Sequence, residues 1–254
     1  MNAFVASQDH AELLELERLT LATSPALREE LYDEWVLRAS GTDTRRANSV
    51  TQLGRGTLPL AEKIDCCERW YADAGQPATF RLTSALSPPE LDALLEARGY
   101  SVVTPSHMMC CALDQVSEAE PPPQIVERTA RQGIADLHRL KGSAPALIER
   151  DQTRQARWTS PERHLAFMEA GEVRACGLVR VEGPWAGLFN MRTAAAHRGR
   201  GIASALVAAL LAWAHGQGAR QAFLQVERGN DAAVRLYRRA GFDPRYDYHY
   251  RVKP

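Results

Sequence analysis

Residues 197–203 read HRGRGIA, and residues 229–242 read GNDAAVRLYRRAGF. The first string lies between a predicted strand that ends at Thr193 and a predicted helix that begins near Ile202. Its small residues let a ligand approach the backbone, and the first turn of a helix leaves N–H groups unpaired at the positive end of the helix dipole. This arrangement suits a pyrophosphate, and two arginines add charge. Taken alone, the string fits a tight turn without a ligand equally well.

The second string predicts a short helix with a polar residue at its start. Asn230 is a favourable N-cap, and Tyr237 lies seven residues later, close to two helical turns, so the two side chains share one face. Taken alone, Tyr237 is more typical of a core tyrosine than of a catalytic acid.

Two other kinds of glycine-rich loop are excluded. The sequence contains no GxxxxGK[ST] string, which a P-loop requires. A dinucleotide fingerprint needs glycine or alanine where Ser204 follows Gly199 and Gly201, and it needs further βα units for which the chain after this loop is too short.

The regions on both sides of the two strings predict a mixed α/β (α+β) fold, with helices on the faces of a sheet. The apolar patterns predict strands at 124–129, 164–168, 173–181, 187–193, 221–226 and 246–252, and helices at 132–140, 202–215 and 231–240.

The first half of the chain weakly repeats the second at an offset of about 142–143 residues. Residues 70–72, 78–82 and 91–100 match later segments in the same order. A steady offset indicates an internal duplication. Residues 117–124 read SEAEPPPQ, and three consecutive prolines favour an extended connector. We therefore predict domains at 1–117 and 124–254, joined by a linker at 118–123.

Together, the two strings resemble the GCN5-related N-acetyltransferase (GNAT) family. The matching pattern is a strand, RxxGxA, a long helix, a second strand and NxxAxxLYxxxGF, and its positions are Arg198, Gly201, Ala203, Asn230, Ala233, Leu236, Tyr237, Gly241 and Phe242. The resemblance is strong over about 185–245. It implies a tandem fold with a mixed central sheet flanked by helices in each half, and an N-acetyltransferase that uses acetyl-CoA as co-substrate without a metal.

The resemblance also implies roles for individual residues. The backbone of Met191, Arg192 and Thr193 would pair with the pantetheine arm, and Asn230 would contact that arm. Tyr237 would protonate the departing CoA thiolate. Backbone amides of the loop would hold the pyrophosphate, namely those of Arg198, Gly199, Arg200, Gly201, Ile202 and Ala203.

The general base is the open question. Some relatives carry a glutamate twelve residues before the tyrosine, and here that position is Gln225, which cannot act as a base. Glu227 would point to the same strand face and is the preferred candidate, although a solvated glutamate at a strand end is the alternative. The weaker options are a water relay or one of Glu172, Glu182 and His164.

The first half departs from the family pattern. Leu58 stands where the loop glycine should be, Pro59 removes an N–H donor, and Leu95 replaces the tyrosine. These changes predict a degenerate copy that no longer binds the cofactor. Residues that could face the acceptor, or pack in structural roles, are Trp35, Arg38, Arg46, Asn48, Tyr246, Tyr248 and Tyr250.

Composition limits the classes of partner. The chain has 31 basic and 31 acidic residues, so its zero net charge gives no reason to expect nucleic acid. No apolar run approaches the length of a membrane span, no secretory signal begins the chain, and five cysteines lack metal-site spacing. We expect a cytoplasmic monomer or homodimer that acetylates a small-molecule amine by direct transfer in a ternary complex. The alternatives are a peptide or protein acceptor, a non-catalytic CoA-binding regulator, or a structural module.

Overall fold

The computed structural model describes residues 2–84, 86–114 and 120–253. The chain forms two compact units. The first unit contains Met1–Met108, Glu227–Gly229 and Tyr246–Pro254, and the second contains Met109–Val226 and Asn230–Arg245.

Seven helices and eleven strands make up the described part of the chain. The helices are α1 (Asn2–Ala22), α2 (Leu60–Asp73), α3 (Leu91–Ala97), α4 (Ala130–Lys141), α5 (Pro145–Gln155), α6 (Ile202–Gly216) and α7 (Asp231–Arg239). The strands are β1 (Arg28–Tyr32), β2 (Trp35–Ala39), β3 (Val50–Gln52), β4 (Thr79–Thr83), β5 (Ser101–Ala112), β6 (Ile125–Arg128), β7 (Glu162–Glu169), β8 (Glu172–Glu182), β9 (Trp185–Thr193), β10 (Gln221–Glu227) and β11 (Asp243–Val252).

In the second unit, five strands lie side by side in the order β6-β7-β8-β9-β10. Pairing is antiparallel from β6 to β9 and parallel between β9 and β10, which the crossover helix α6 connects. Helix α6 packs against β7, β8 and β9, and its buried residues include Leu206, Leu210 and Ala214. The helices and strands predicted here are confirmed within a few residues. Helix α5 was not predicted.

The first unit repeats this arrangement. Its strands lie in the order β1-β2-β3-β4-β11, with β3 and β4 parallel and α2 between them in the chain. Helices α2 and α6 begin at residues 60 and 202, and strands β4 and β10 begin at 79 and 221, so both offsets are 142. Strands β5 and β11 begin at 101 and 243, which again differ by 142. The elements therefore repeat at the offset that the sequence indicates.

Each unit has its own apolar core. In the first unit, the buried residues include Trp35, Ile64 and Phe80, and in the second they include Leu178, Leu206 and Phe242. The compact units do not coincide with the two halves of the sequence, because β11 runs from the second unit into the first, where it pairs with β4. The predicted linker at 118–123 begins within residues 115–119, which lie outside the described residues. The functional domains at 1–117 and 124–254 stay a prediction.

Candidate active site

Strands β9 and β10 separate at one end of the second unit. Their parallel pairing joins residues 185–188 to 221–224 and stops there, although β9 continues to Thr193 and β10 to Glu227. Asn190 has a φ of 57°, and the register of β8 against β9 shifts between Cys176 and Leu178. This bulge turns the end of β9, so the edge of the strand that faces β10 is open beyond Leu188.

The last residues of β9 pair with β8, on the edge of β9 that faces away from β10. Arg192 and Thr193 lie opposite Cys176 and Ala175 of β8. The side chain of Met191 packs directly over Gly177 and against the core. The backbone of Met191, rather than its side chain, is therefore available for the predicted contact with a pantetheine arm.

The loop after β9 leads to an uncapped helix N-terminus. A short 3-10 helix covers Ala195–His197, and Gly199 and Gly201 then have φ values of 75° and 76°, a conformation that favours glycine. No side chain caps α6, and an added Cβ on either glycine would meet open space. The first N–H groups of α6, which begins at Ile202, are thus accessible to an anion, and the loop has the form that the sequence predicts.

The two arginines of this loop differ in their surroundings. Arg200 donates from Nη2 to Glu169 Oε1 at 2.8 Å, and His197 Nε2 lies 2.8 Å from Glu169 Oε2. Arg200 and His197 together lower the pKa of the Glu169 carboxyl to about 2. Arg198 is exposed, and its Nε lies 3.5 Å from the carbonyl oxygen of Thr193. Sequence reasoning missed Glu169, because its partners lie about thirty residues away in the chain.

Helix α7 positions Asn230 and Tyr237. The Asn230 side chain accepts a hydrogen bond from the N–H of Ala233 at 3.2 Å, as expected of an N-cap. Tyr237 is 7% exposed and contacts Phe242 edge-on, with ring centroids 6.0 Å apart. Burial raises the pKa of Tyr237 to about 12, so the hydroxyl stays protonated at neutral pH. Within the described residues, that hydroxyl has no hydrogen-bond partner, which leaves it able to donate a proton.

The candidate bases are in different environments. Glu227 is the exposed last residue of β10 and belongs to the first unit. Glu172 forms an ion pair with Arg174 at 2.6 Å. Glu182 accepts a hydrogen bond from the Ser160 hydroxyl at 3.1 Å. His164 is buried, with Nε2 3.4 Å from Glu162. Glu227 as the base stays a prediction.

Cys176 is a buried thiol next to the end of β9. Burial raises the pKa of the Cys176 thiol to about 12, so this residue is protonated and enclosed at neutral pH. No group of three or more His, Cys, Asp or Glu in the described residues is arranged to hold a metal ion.

The comparisons with known proteins agree with this geometry. The family model described as "Probable histone acetyltransferase Rv0428c C-terminal" matches residues 10–251. The chain is 30% identical over 261 residues to "Uncharacterized N-acetyltransferase YobR" of Bacillus subtilis (strain 168), covering 95% of this chain and 99% of that protein. The chain belongs to the GNAT family of N-acetyltransferases. The predicted family, fold class and enzyme class are therefore confirmed.

Solved structures show the same GNAT fold. The GCN5-related N-acetyltransferase from Kribbella flavida aligns with a TM-score of 0.64 and 17% identity, covering 100% of this chain and 97% of that one. A tandem GNAT protein from the clavulanic acid biosynthesis pathway aligns with a TM-score of 0.54 and 15% identity, covering 73% of this chain and 67% of that one. None of the described helices combines the length and apolar character that a membrane span requires.

In the first unit, a side chain from another turn of the same unit fills the loop that corresponds to residues 198–203. Asp33, in the turn between β1 and β2, accepts from the backbone N–H of Thr57 at 2.8 Å and of Leu58 at 3.0 Å. Lys63 lies 2.9 Å from the same carboxylate. These N–H groups lie just before α2, where the second unit leaves its N–H groups open. A carboxylate of the protein thus takes the place that an anionic ligand would need.

In the first unit, a side chain bridges the parallel strands β3 and β4 at the end where their pairing stops. The described pairing of β3 and β4 ends at Thr51 and Arg81. Ser87 then bridges the two strands, because its hydroxyl donates to Gln52 Oε1 at 2.6 Å and accepts from the N–H of Thr83 at 2.9 Å. Both features support the interpretation of the first copy as degenerate, and both were missed because they depend on contacts across the fold.

Replacing Asp33 is expected to destabilise the protein in a pH-dependent way. Lys63 and the N–H groups of Thr57 and Leu58 hold the pKa of Asp33 well below its usual range. Its contribution to stability is therefore present above the unfolded pKa of about 4 and is lost as the pH falls through the lower folded value. Asp33→Asn should lower the melting temperature at pH 7, with a smaller difference at pH 3. The control is Glu34→Gln in the same turn; an equal effect of both changes would contradict this role.

Several residues that could have faced an acceptor have structural partners instead. Arg38 is buried and donates to the carbonyl oxygens of Leu21 and Ser24. Asn48 bonds to the N–H groups of Ser40 and Gly41 through its side-chain oxygen. Together with the burial of Trp35, these contacts favour the structural alternative for this hairpin.

Proposed function

We propose that this GNAT protein transfers an acetyl group from acetyl-CoA to the amine of a small molecule, by direct transfer in a ternary complex. The observation that carries the proposal is the open N-terminus of α6 beside the separated ends of β9 and β10. The loop supplies N–H groups for a pyrophosphate, and the open edge of β9 supplies backbone partners for a pantetheine arm.

Direct transfer is supported by the surroundings of two side chains. The amine must be neutral to attack the thioester, and Tyr237, which lies on α7, would donate a proton to the departing thiolate. The buried, protonated Cys176 thiol does not favour a cysteine-acyl intermediate. Positioning both substrates supplies much of the remaining rate, up to about 7–11 kcal/mol in favourable cases.

The charges beside the turn between β7 and β8 favour a small acceptor over a basic protein segment. Glu169 and Glu172 flank this turn. Glu169 is already paired with Arg200, and Glu172 is already paired with Arg174. A basic peptide needs unpaired acidic groups along its path. The description of the matched family as a probable histone acetyltransferase nevertheless makes a protein amine the second candidate.

Cofactor binding is tested by calorimetric titration with acetyl-CoA. We expect one site per chain, and Gly201→Glu should abolish it by placing a negative side chain in the open space before α6. The control is Gly218→Glu, because Gly218 also has a positive φ and open space but lies beyond the other end of α6. Two sites per chain would contradict the degenerate first copy, and equal binding by both variants would contradict the location of the site.

The acceptor is identified by following release of the CoA thiol in the presence of candidate amines. Pools of amino acids and amine metabolites are compared with lysine-rich peptides. Turnover with a small amine supports the proposal, whereas turnover with peptides alone supports the second candidate. Initial rates that depend on both substrates in a ping-pong pattern would contradict direct transfer.

A further inference from the structure

We propose that Glu169 is a positioning residue that holds the anion-binding loop in place by binding His197 and Arg200, and that the side chain of Arg200 acts on the loop rather than on the cofactor. This inference rests on the proposed role of residues 198–203 as the pyrophosphate site. It separates two arginines that the sequence pattern groups together.

The geometry links one carboxylate to two positions, one just before the loop and one within it. Glu169 is the last residue of β7 and precedes the hairpin turn to β8. Its Oε2 atom lies 2.8 Å from His197 Nε2, and its Oε1 atom accepts from Arg200 Nη2 at 2.8 Å. The two partners lie on either side of Arg198 and Gly199, so the loop is tied to a strand of the sheet.

The loop needs such a support because of its composition. Glycine loses more backbone freedom on ordering than any other residue, and both Gly199 and Gly201 adopt positive φ values. A loop already held at two positions requires less ordering when a ligand binds, and this pre-organisation increases affinity. Charge-assisted hydrogen bonds are suited to this task because they are stronger than neutral ones.

The same contacts assign different tasks to the two arginines. The charge of Arg200 is balanced by Glu169 at a distance of 2.8 Å. Arg198 is exposed and forms no ion pair in the described structure, so its charge is available to a phosphate. We therefore expect Arg198 to meet the cofactor directly.

The first unit provides an internal comparison. There, the corresponding hairpin turn carries Asp33, whose carboxylate reaches the backbone N–H groups of Thr57 and Leu58 themselves. In the second unit, the hairpin carboxylate stops at side chains of the loop and leaves the N–H groups before α6 open. One acidic residue in the same part of the fold thus fills the anion position in one copy and supports it in the other.

The test is calorimetric titration of the full chain with acetyl-CoA. Glu169→Gln should raise the Kd about fivefold, whereas Glu169→Asp should recover part of the loss. Arg200→Ala leaves the contact between Glu169 and His197 in place, so its effect should be no larger than that of Glu169→Gln, and the double variant Glu169→Gln with Arg200→Ala should be no worse than Glu169→Gln alone. Arg198→Ala should reduce the salt dependence of binding, and Arg200→Ala should not. Melting temperatures should stay close to that of the wild type, because Glu169 and Arg200 are 39% and 47% exposed.

The matched control is Glu127→Gln, which removes an exposed ion pair with Arg163 elsewhere in the second unit. It should leave the Kd unchanged. If the wild type fails to bind acetyl-CoA, the proposed function and this inference both fail. If the wild type binds and Glu169→Gln binds equally well or more tightly, only the positioning role is overturned. Additive effects of the Glu169 and Arg200 changes would also overturn it.

Discussion

Tyr237→Phe is expected to lower kcat on the order of a hundredfold or more, the usual loss when a general acid is removed. The phenylalanine keeps the ring contact with Phe242, so the core of the second unit is retained and only the hydroxyl is lost. Because Tyr237 would act after acetyl-CoA has bound, the KM for acetyl-CoA should change little. Initial rates at saturating acetyl-CoA, with an amine that the acceptor screen yields as a substrate, measure this effect.

The pH profile of the wild type gives a second reading of the same role. Burial raises the pKa of Tyr237 to about 12, above the ordinary value of about 10 for tyrosine. An acid with this pKa stays almost fully protonated up to about pH 10. We therefore expect no loss of kcat through ionisation of this hydroxyl between pH 8 and about pH 10.

A matched control uses another buried tyrosine. The hydroxyl of Tyr71 donates to the carbonyl oxygen of Arg38 at 2.7 Å in the first unit. Tyr71→Phe should lower stability while leaving kcat unchanged, since it removes a structural hydrogen bond. If Tyr237→Phe lowers stability but retains wild-type kcat, Tyr237 is a core residue and the proton must come from another donor.

The sequence indicates the candidate site best where its elements consist of consecutive residues. The loop at 197–203 and the helix that begins after Asn230 were found because local backbone geometry restricts the residue types there: glycine at positive φ and an N-cap side chain. The repeat offset was found because three pairs of elements, α2 and α6, β4 and β10, and β5 and β11, begin 142 residues apart.

Contacts between distant parts of the chain could not be predicted in this way. Glu169 and Asp33 are acidic residues near hairpin turns, and their sequence context is typical of solvated side chains. Their contacts form only because each hairpin folds against a loop that is distant in the chain: the loop before α2 for Asp33, and the loop before α6 for Glu169. Helix α1 was not predicted either. Within the first unit, a buried ion pair joins this helix to β4.

This ion pair joins Glu17 of α1 to Arg81 of β4. Arg81 donates to both Glu17 oxygens, at 2.8 Å and 2.7 Å, and the two side chains are 1% and 0% exposed. The hydroxyl of Tyr246 also donates to Glu17, at 2.6 Å, and the Arg81 guanidinium lies 3.4 Å from the centroid of the Tyr248 ring. Both charges are thus enclosed, and both carboxylate oxygens of Glu17 accept hydrogen bonds, the condition under which a buried pair can be retained.

Arg81→Met is expected to destabilise the protein by about 3–5 kcal/mol, because it leaves the Glu17 carboxylate buried without its counter-ion. In a chain of this size, that loss lowers the melting temperature on the order of 10 °C. Thermal unfolding followed by circular dichroism measures it. The control is Arg163→Met, which breaks an exposed ion pair with Glu127 and should cost less than about 1 kcal/mol.

The pH dependence distinguishes a lost charge pair from lost packing. Burial alone would raise the pKa of Glu17, but Arg81, Tyr246 and Thr83 together lower it below its usual value. In the wild type, this contribution to stability is therefore present above about pH 4.5 and is lost as the pH falls through the folded pKa. In Arg81→Met only burial and weaker hydrogen bonds remain, so Glu17 should take up a proton more readily on folding. The difference in melting temperature between the two proteins should then shrink from pH 7 to pH 5, whereas a constant difference would indicate that Arg81 stabilises the first unit through packing alone.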